Sequence, residues 1–235
     1  MNAIILAAGV GHRMITLTRQ YNKALLPIGG VSIIERTISY LLEAGVQQIY
    51  IVTGHKHELF LPLQAKYGVI LIRNRQYATK NNLYSLQLAL EHLHDAYLIY
   101  GDVILFKNIF LHKPAITTIY TTFKCTKGIP GIEIHADKYY TLQSYGVCKE
   151  NKKIVTNLGI CYVAAAEADI IKSHYKTHIN EKRLRDYKGE IDLELFPLTK
   201  NRIINVYPVD ARYVSDVNLI TEYYDACLKY EKLQK

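Results

Sequence analysis

Four short, apolar, β-branched runs alternate with segments of helical periodicity across roughly the first hundred residues, and this alternation constrains the fold more than any other feature. Asn2–Leu6 reads as a buried strand ended by small residues. Ser32 and Glu35 form a capping box that opens a helix with Ile33, Ile34, Ile38, Leu41 and Leu42 on one face, closed by Gly45. Gln48–Thr53 is the next strand. Lys56–Lys66 follows as a helix stopped by Gly68, and Val69–Ile72 is a strand. Asn82–His94 carries Leu83, Leu86, Leu90 and Leu93 at helical spacing before the strand Ala96–Tyr100. A β-α-β-α-β-α-β succession predicts a Rossmann-like α/β fold, with a mostly parallel sheet flanked by helices.

After about residue 114 the texture changes. Ala115–Phe123, Lys138–Val147, Leu158–Ala164 and Ile203–Val209 read as strands, several of them rich in Tyr and Thr. Helices are expected over Glu167–His178, Ile191–Leu198 and Asp216–Lys232. No repeat or low-complexity linker divides the chain. The expectation is a single domain over residues 1–235, with halves 1–113 and 114–235.

A composition 49% hydrophobic and 21% charged excludes disordered and fibrous classes. No apolar run approaches the ~18–20 residues of a membrane span. Ala3–Ala8 lacks the basic flank of a signal peptide. Cys125, Cys148, Cys161 and Cys227 are too unevenly separated for a zinc site or a disulfide framework, so a reducing, cytoplasmic setting is expected. Net charge is +8, but the lysines and arginines are scattered in twos and threes and form no stripe interleaved with aromatics. That pattern predicts a small polyanionic ligand, with nucleic acid the lesser alternative. Oligomeric state has no signature in the sequence.

The densest chemistry lies directly after the first strand, in Leu6-Ala7-Ala8-Gly9-Val10-Gly11-His12-Arg13-Met14. Small residues let backbone N–H groups approach a phosphate or a base, the glycines permit a tight turn, and Arg13 can bind phosphate through two parallel hydrogen bonds. The dinucleotide fingerprint fails because Met14 stands where its third glycine belongs, and Gly-Lys-Ser/Thr is absent. Further on, Asn22-Lys23-Ala24-Leu25-Leu26-Pro27 puts a lysine in a loop before a helix, either reaching back to the same phosphates or simply solvated.

Together these two segments resemble the signature of the nucleotidyltransferase superfamily, a Leu-Ala-Ala-Gly-x-Gly-x-Arg-Met/Leu loop followed by Pro-Lys-x-Leu-x-Pro, with Asn22 in place of the usual proline. The segment Tyr77-Ala78-Thr79-Lys80-Asn81-Asn82-Leu83-Tyr84-Ser85-Leu86 resembles the Tyr-x-x-x-Asn-Asn-x-Tyr-Ser-Leu element of bacterial CTP:phosphocholine cytidylyltransferases of the LicC type. Sugar-1-phosphate nucleotidyltransferases usually carry Gln-Pro-x-Gly there. The resemblance implies transfer of CMP from CTP to a small phosphomonoester with release of pyrophosphate. A sugar-1-phosphate nucleotidyltransferase and a catalytically silent nucleotide sensor are the alternatives.

By the same resemblance, Asp102 in Gly101-Asp102 holds Mg²⁺. Its partner is Asp216, in the place of the family's late Glu-Ile-Asp aspartate, with Asp210 as the fallback and a helix N-cap as Asp216's plainer role. The triphosphate falls to Arg13, Lys23 and the Ala8–Gly11 backbone, with Leu6 and Val10 in the same loop. The base falls to Ala7, Asn81, Asn82 and Ser85, although either asparagine could instead cap its helix. His174 and His178 share a helix face, but without a third neighbouring ligand they predict a partly exposed pair rather than a metal site. Family members that use phosphocholine commonly cage the quaternary ammonium with tryptophan. This chain has no Trp and 20 Tyr. Tyr120, Tyr145 and Tyr162 are therefore the expected aromatic faces, unless they are ordinary strand packing, and Asp192 in Gly189-Glu190-Ile191-Asp192-Leu193 the expected countercharge. Phosphocholine leads the acceptor candidates, followed by phosphoethanolamine and phosphoglutamine.

Overall fold

A computed structural model describes residues 1–126, 130–186 and 203–234. The strands are β1 (Asn2–Ala7), β2 (Pro27–Ile28), β3 (Val31–Ser32), β4 (Gln48–Thr53), β5 (Ile70–Arg73), β6 (Ala96–Tyr100) and β7 (Val103–Leu105). They continue with β8 (Thr118–Cys125), β9 (Gly131–Ala136), β10 (Leu142–Cys148), β11 (Lys153–Val163), β12 (Asn205–Pro208) and β13 (Val214–Asp216). Seven of them form one sheet in the order β12-β8-β11-β6-β1-β4-β5. Only β11 runs antiparallel to its neighbours; it joins the two halves of the chain into one sheet.

Alternation along β1 sets the layers. Ala3, Ile5 and Ala7 face one side. Past the single-turn helix α1 (Ile15–Thr18), the chain covers that side, in one shared core, with Ile34, Ile38 and Leu41 of helix α2 (Ile33–Glu43) and Leu63 of α3 (Leu61–Tyr67). Ile4 and Leu6 face the other side, against Leu83 and Leu86 of α4 (Asn82–Ala89) and Ala168 and Ile171 of α5 (Ala165–His178). α2 starts where the capping box predicts: Ser32 Oγ accepts from Glu35 N at 3.3 Å and donates to the Glu35 carboxylate at 2.8 Å. A third apolar cluster (Met14, Leu26, Ile28, Ile33, Ile104, Val217 and Ala226) packs the final helix, Ile220–Leu233, beneath the first loop.

Several boundaries differ from expectation for physical reasons. The helix expected over Lys56–Lys66 begins as a 3₁₀ turn, His57–Phe60, because Lys56 adopts the left-handed conformation that cannot continue a helix. The expected strand Lys138–Val147 starts only at Leu142. Its hairpin partner β9 is half-polar (Gly131-Ile132-Glu133-Ile134-His135-Ala136) and carries too little alternation to be read as a strand. The final helix begins at Ile220 rather than Asp216, which leaves Asp216 on a strand. The helix expected over Ile191–Leu198 lies outside the described residues. Among the described residues no helix is long and apolar enough to cross a membrane, and none of the four cysteines is in a disulfide.

Candidate active site

The site forms where β1 and β6 end side by side, at the carboxyl edge where open α/β sheets bind ligands. Gly101 permits this approach: a Cβ there would lie 3.0 Å from both Ala7 Cβ and Leu6 O, and Gly101 N donates to Leu6 O at 2.9 Å. Asp102 is thereby placed beside the Ala7–Arg13 loop. The loop turns at Gly11, whose φ of +69° favours glycine, and its carbonyl accepts from Met14 N at 2.9 Å and Thr18 Oγ1 at 3.2 Å.

Asn22 clamps this loop. Buried, its amide nitrogen donates to Ala7 O at 3.1 Å, Gly9 O at 3.4 Å and His55 O at 3.0 Å, while its oxygen accepts from Ala24 N at 3.0 Å. A proline could make none of the donated bonds. The exchange noted in the sequence therefore replaces ring stiffness with a hydrogen-bonded anchor, and Lys23 follows directly in a short 3₁₀ turn, Lys23–Leu25.

Lys23 Nζ lies 2.7 Å from Asp102 Oδ2, with the lysine side chain only 13% exposed and the aspartate 30%. Asp216 is brought to the same place by strand pairing. β13 runs antiparallel to β7 with Asp216 opposite Val103, and Val217 N donates to Asp102 O at 3.2 Å. Two carboxylates distant in sequence thus occupy neighbouring rungs. Lys229 of the final helix fixes β13 from behind, donating to Ala211 O and Val214 O at 2.6 Å and to Ser215 Oγ at 3.2 Å. Burial lowers its pKa below the ordinary lysine value.

Two residues missed by sequence reasoning complete the network. Asn218 Oδ1 accepts from Arg13 at 2.6 Å and from Lys23 Nζ at 3.3 Å, and its amide nitrogen donates to Asp216 Oδ2 at 2.8 Å. Lys124, at the end of β8, donates to the same Asp216 oxygen at 2.8 Å. Asn218 is held in turn by Glu222, whose carboxylate accepts from Asn218 N at 2.7 Å and Leu219 N at 3.0 Å. Glu222 therefore supplies the helix-start contact that Asp216 was expected to make as an N-cap. A polar residue two positions after Asp216, ahead of a helix, was the available signal for Asn218. Lys124 had none, because β8 reads as an ordinary strand.

Arg13, Lys23, Asp102 and Asp216 are therefore one network, while the other expected site residues divide. Asn81 caps α4, accepting from Leu83 N at 3.0 Å, and donates to Arg183 O at 2.6 Å on helix α6 (Glu181–Asp186). Asn82 is exposed at the first position of α4. Ser85 is buried and accepts from Asn74 Nδ2 at 3.0 Å. Tyr120 and Tyr162 are 1% and 2% exposed in the core, packed around Tyr97, and cannot present a face to an acceptor. This corrects their expected role: period-2 burial won. Tyr145 is 38% exposed on the β9–β10 hairpin. Asp192 lies outside the described residues. Asp210 forms a two-point pair with its neighbour Arg212 at 2.9 and 2.6 Å, apart from the Asp102–Asp216 network. His174 and His178 stack at 3.8 Å, and among the described residues no three His, Cys, Asp or Glu gather as a metal cage.

Comparisons with known proteins identify the family. Residues 3–113 match the MobA-like NTP transferase domain. The chain is 34% identical over 213 residues to the choline-phosphate cytidylyltransferase of Haemophilus influenzae, covering 88% of this chain and 87% of that protein. It is 27% identical to the 2-aminoethylphosphonate cytidylyltransferase of Lancefieldella rimae, over 94% and 89% of the two chains. The solved structure of the CTP:phosphocholine cytidylyltransferase LicC from Streptococcus pneumoniae superposes with a TM-score of 0.87 at 29% identity, over 100% of this chain and 99% of that one. By sequence identity and by superposition of the fold, the chain belongs to the nucleotidyltransferase superfamily, in the family of LicC-type choline-phosphate cytidylyltransferases.

Proposed function

We propose that this enzyme transfers CMP from CTP to phosphocholine. An oxygen of the acceptor phosphate attacks the α-phosphorus, the bond from that phosphorus to the bridging oxygen breaks, and pyrophosphate leaves with the electron pair. The acceptor is already ionised near neutral pH, so the chain need supply no base; positioning and charge neutralisation carry the reaction. The observation that carries this reading is the Lys23–Asp102 and Lys124–Asp216 pairs, joined through Asn218 at the mouth of the glycine loop. A silent sensor has no need of that charge pattern.

Arg13 and Lys23 hold the β- and γ-phosphates as charge moves onto the leaving pyrophosphate. The Ala8–Gly11 backbone lines the triphosphate, and a Cβ at Gly9 would meet no atom within 4 Å, which leaves open space beside the loop. Asn82 and Ala7 are the base-reading candidates at the strand and helix ends. Asn81 and Ser85 support them by fixing the start of α4 and Asn74.

Asp102 and Asp216 suit Mg²⁺: two hard carboxylates linked through Lys23 and Asn218, with other positions left for phosphate oxygens and water. The ion would neutralise charge on the phosphates during transfer.

The acceptor is open to a second reading. With Tyr120 and Tyr162 in the core and no tryptophan, Tyr145 is the one of the three expected cage tyrosines with an exposed side chain. A primary amine donates hydrogen bonds and needs no cage, so phosphoethanolamine or 2-aminoethylphosphonate is the alternative, with phosphoglutamine behind them. Pyrophosphate release from CTP and Mg²⁺ with each acceptor in turn tests both. Turnover with phosphocholine at the highest kcat/KM is expected; a higher value for a primary amine favours the second reading, and preference for a sugar 1-phosphate overturns both.

A further inference from the structure

The roles assigned so far leave the incoming phosphate without a cation. Arg13 and Lys23 converge on the glycine loop, where the departing pyrophosphate belongs, and the acceptor's dianion must still approach a polyanionic nucleotide. We infer that Lys124 supplies that charge and binds the acceptor phosphate, an assignment that rests on the transfer reaction proposed above.

Three observations lead there. First, the Asn218 amide separates the cations of the site into two groups. Its oxygen faces Arg13 and Lys23, and its nitrogen faces the Asp216 oxygen that Lys124 shares. In-line displacement puts the entering and leaving oxygens on opposite sides of the α-phosphorus, so cations split in this way match the two ends of the reaction.

Second, Lys124 is the accessible partner of Asp216. Its side chain is 45% exposed and reaches Asp216 from the end of β8, whereas Lys23 is only 13% exposed. Asp216 Oδ2 already accepts from both Asn218 and Lys124, so when that carboxylate turns to a cation, the lysine is the partner free to leave. A flexible ammonium suits a phosphate as a point charge.

Third, Lys124 lines a cavity of about 350 Å³ with Phe123, Lys153, Val209 and Asp210, large enough for a small phosphomonoester. Asp210 is neutralised there by Arg212, and Lys153 Nζ lies 4.4 Å from the centre of the Phe123 ring, covering its face. Once Asp216 turns to a cation, Lys124 and Lys153 leave the cavity lining net positive. It suits the phosphate end of the acceptor and repels the ammonium end, which must point away from it.

Three measurements on Lys124→Ala and Lys124→Arg test the assignment. In steady-state kinetics, Lys124→Ala is expected to raise KM for phosphocholine at least tenfold and to shift KM for CTP less than threefold, with Lys124→Arg recovering most of the loss. Calorimetric titration of phosphocholine into enzyme held with Mg²⁺ and a non-hydrolysable CTP analogue gives the same comparison without turnover. Manganese binding to the nucleotide-free protein, followed by electron paramagnetic resonance, should tighten severalfold in Lys124→Ala because a competitor for Asp216 is gone. Unchanged phosphocholine affinity in Lys124→Ala, or a loss confined to CTP, overturns the assignment while leaving the transfer reaction standing. If the wild type binds phosphocholine through Lys124 but transfers no CMP, the reaction fails and the phosphate site stands. No phosphocholine binding by the wild type overturns both.

Discussion

β6 carries an aspartate just beyond each end, and the two have opposite uses. Asp95, before the strand, is held by Lys113 at 2.6 Å, by the terminal ammonium at 3.7 Å and by the Tyr162 hydroxyl. Asp102, after the strand, meets Lys23, which is shared with Asn218 in a network that also includes Arg13, Asp216 and Lys124. Both are carboxylates matched by cations, so charge pairing alone does not identify a site. The difference lies in what the partners are otherwise committed to. At the base, Tyr162 is rooted in the core and Asp95 O accepts from Asn2 N at 2.9 Å, closing the start of the sheet. At the mouth, the cations are offered by loops and strand ends beside an open glycine turn, where a phosphate could take them over.

Exchanging the aspartates separates the two ends most sharply. Asp102→Ala should reduce turnover by about 10³-fold or more, since a clamp on phosphoryl charge supplies several kcal/mol, and Asp216→Ala should behave alike. Both variants should melt within a few degrees of the wild type. Asp95→Ala should do the reverse, lowering the melting temperature while kcat stays within about threefold. Near-normal turnover in Asp102→Ala at saturating Mg²⁺ would remove it from the metal site. The lysines give the next contrast: Lys23→Ala should lower kcat by about 10²-fold, and by more than it raises KM for CTP, if it meets charge that grows in the transition state. Lys113→Ala should change neither constant. An effect of Lys23→Ala on KM alone would make it a ground-state contact.

Asn218→Ala comes third. It removes the amide that joins Arg13 and Lys23 to Asp216 and should cost about tenfold in kcat, with fold and melting temperature kept. At the base, Tyr162→Phe should cost about 1 kcal/mol in denaturant unfolding and nothing in turnover. The smallest effect is one of pH. Burial pushes the Asp95 carboxyl up, but hydrogen bonds from Lys113 and Tyr162 outweigh it and hold it below its ordinary 3.8. A depressed folded value adds stability that is present above pH 3.8 and lost as pH falls through the lowered value. The acid limb of the stability curve should therefore flatten in Asp95→Asn, measured by thermal melts from pH 5 downward.

The parallel half was legible because its signals are local. Strand runs, the Ser32–Glu35 box and the punctuating Gly45 and Gly68 each lie within a few residues of what they control. Arg13, Lys23 and Asp102 were legible for the same reason, each standing at a strand or loop end with a motif around it. Asn218 and Lys124 were not, since their meaning comes from pairing across 92 to 205 positions of chain, through β13 and β8. The tyrosines erred in the other direction: an aromatic on a strand reads alike whether it faces a ligand or the core, and only the sheet face decides. Tyr120 and Tyr162 went inward.

The grip of Lys229 on β13 has a consequence for how this protein fails. Asp216 and Asn218 belong to a short strand and its exit, pinned from behind by one lysine of the final helix and from below by Val217 and Ala226. The seven-stranded sheet continues without them, because β13 pairs only with β7, in a separate ribbon. The final helix is therefore expected to detach before the sheet unfolds, as a local unit. Such a protein would lose catalysis while its far-ultraviolet signal and most of its amide protection survive, so inactivation by urea precedes global unfolding. Folding quality and catalytic competence become two separate measurements, and a preparation that looks native by the first can be silent by the second.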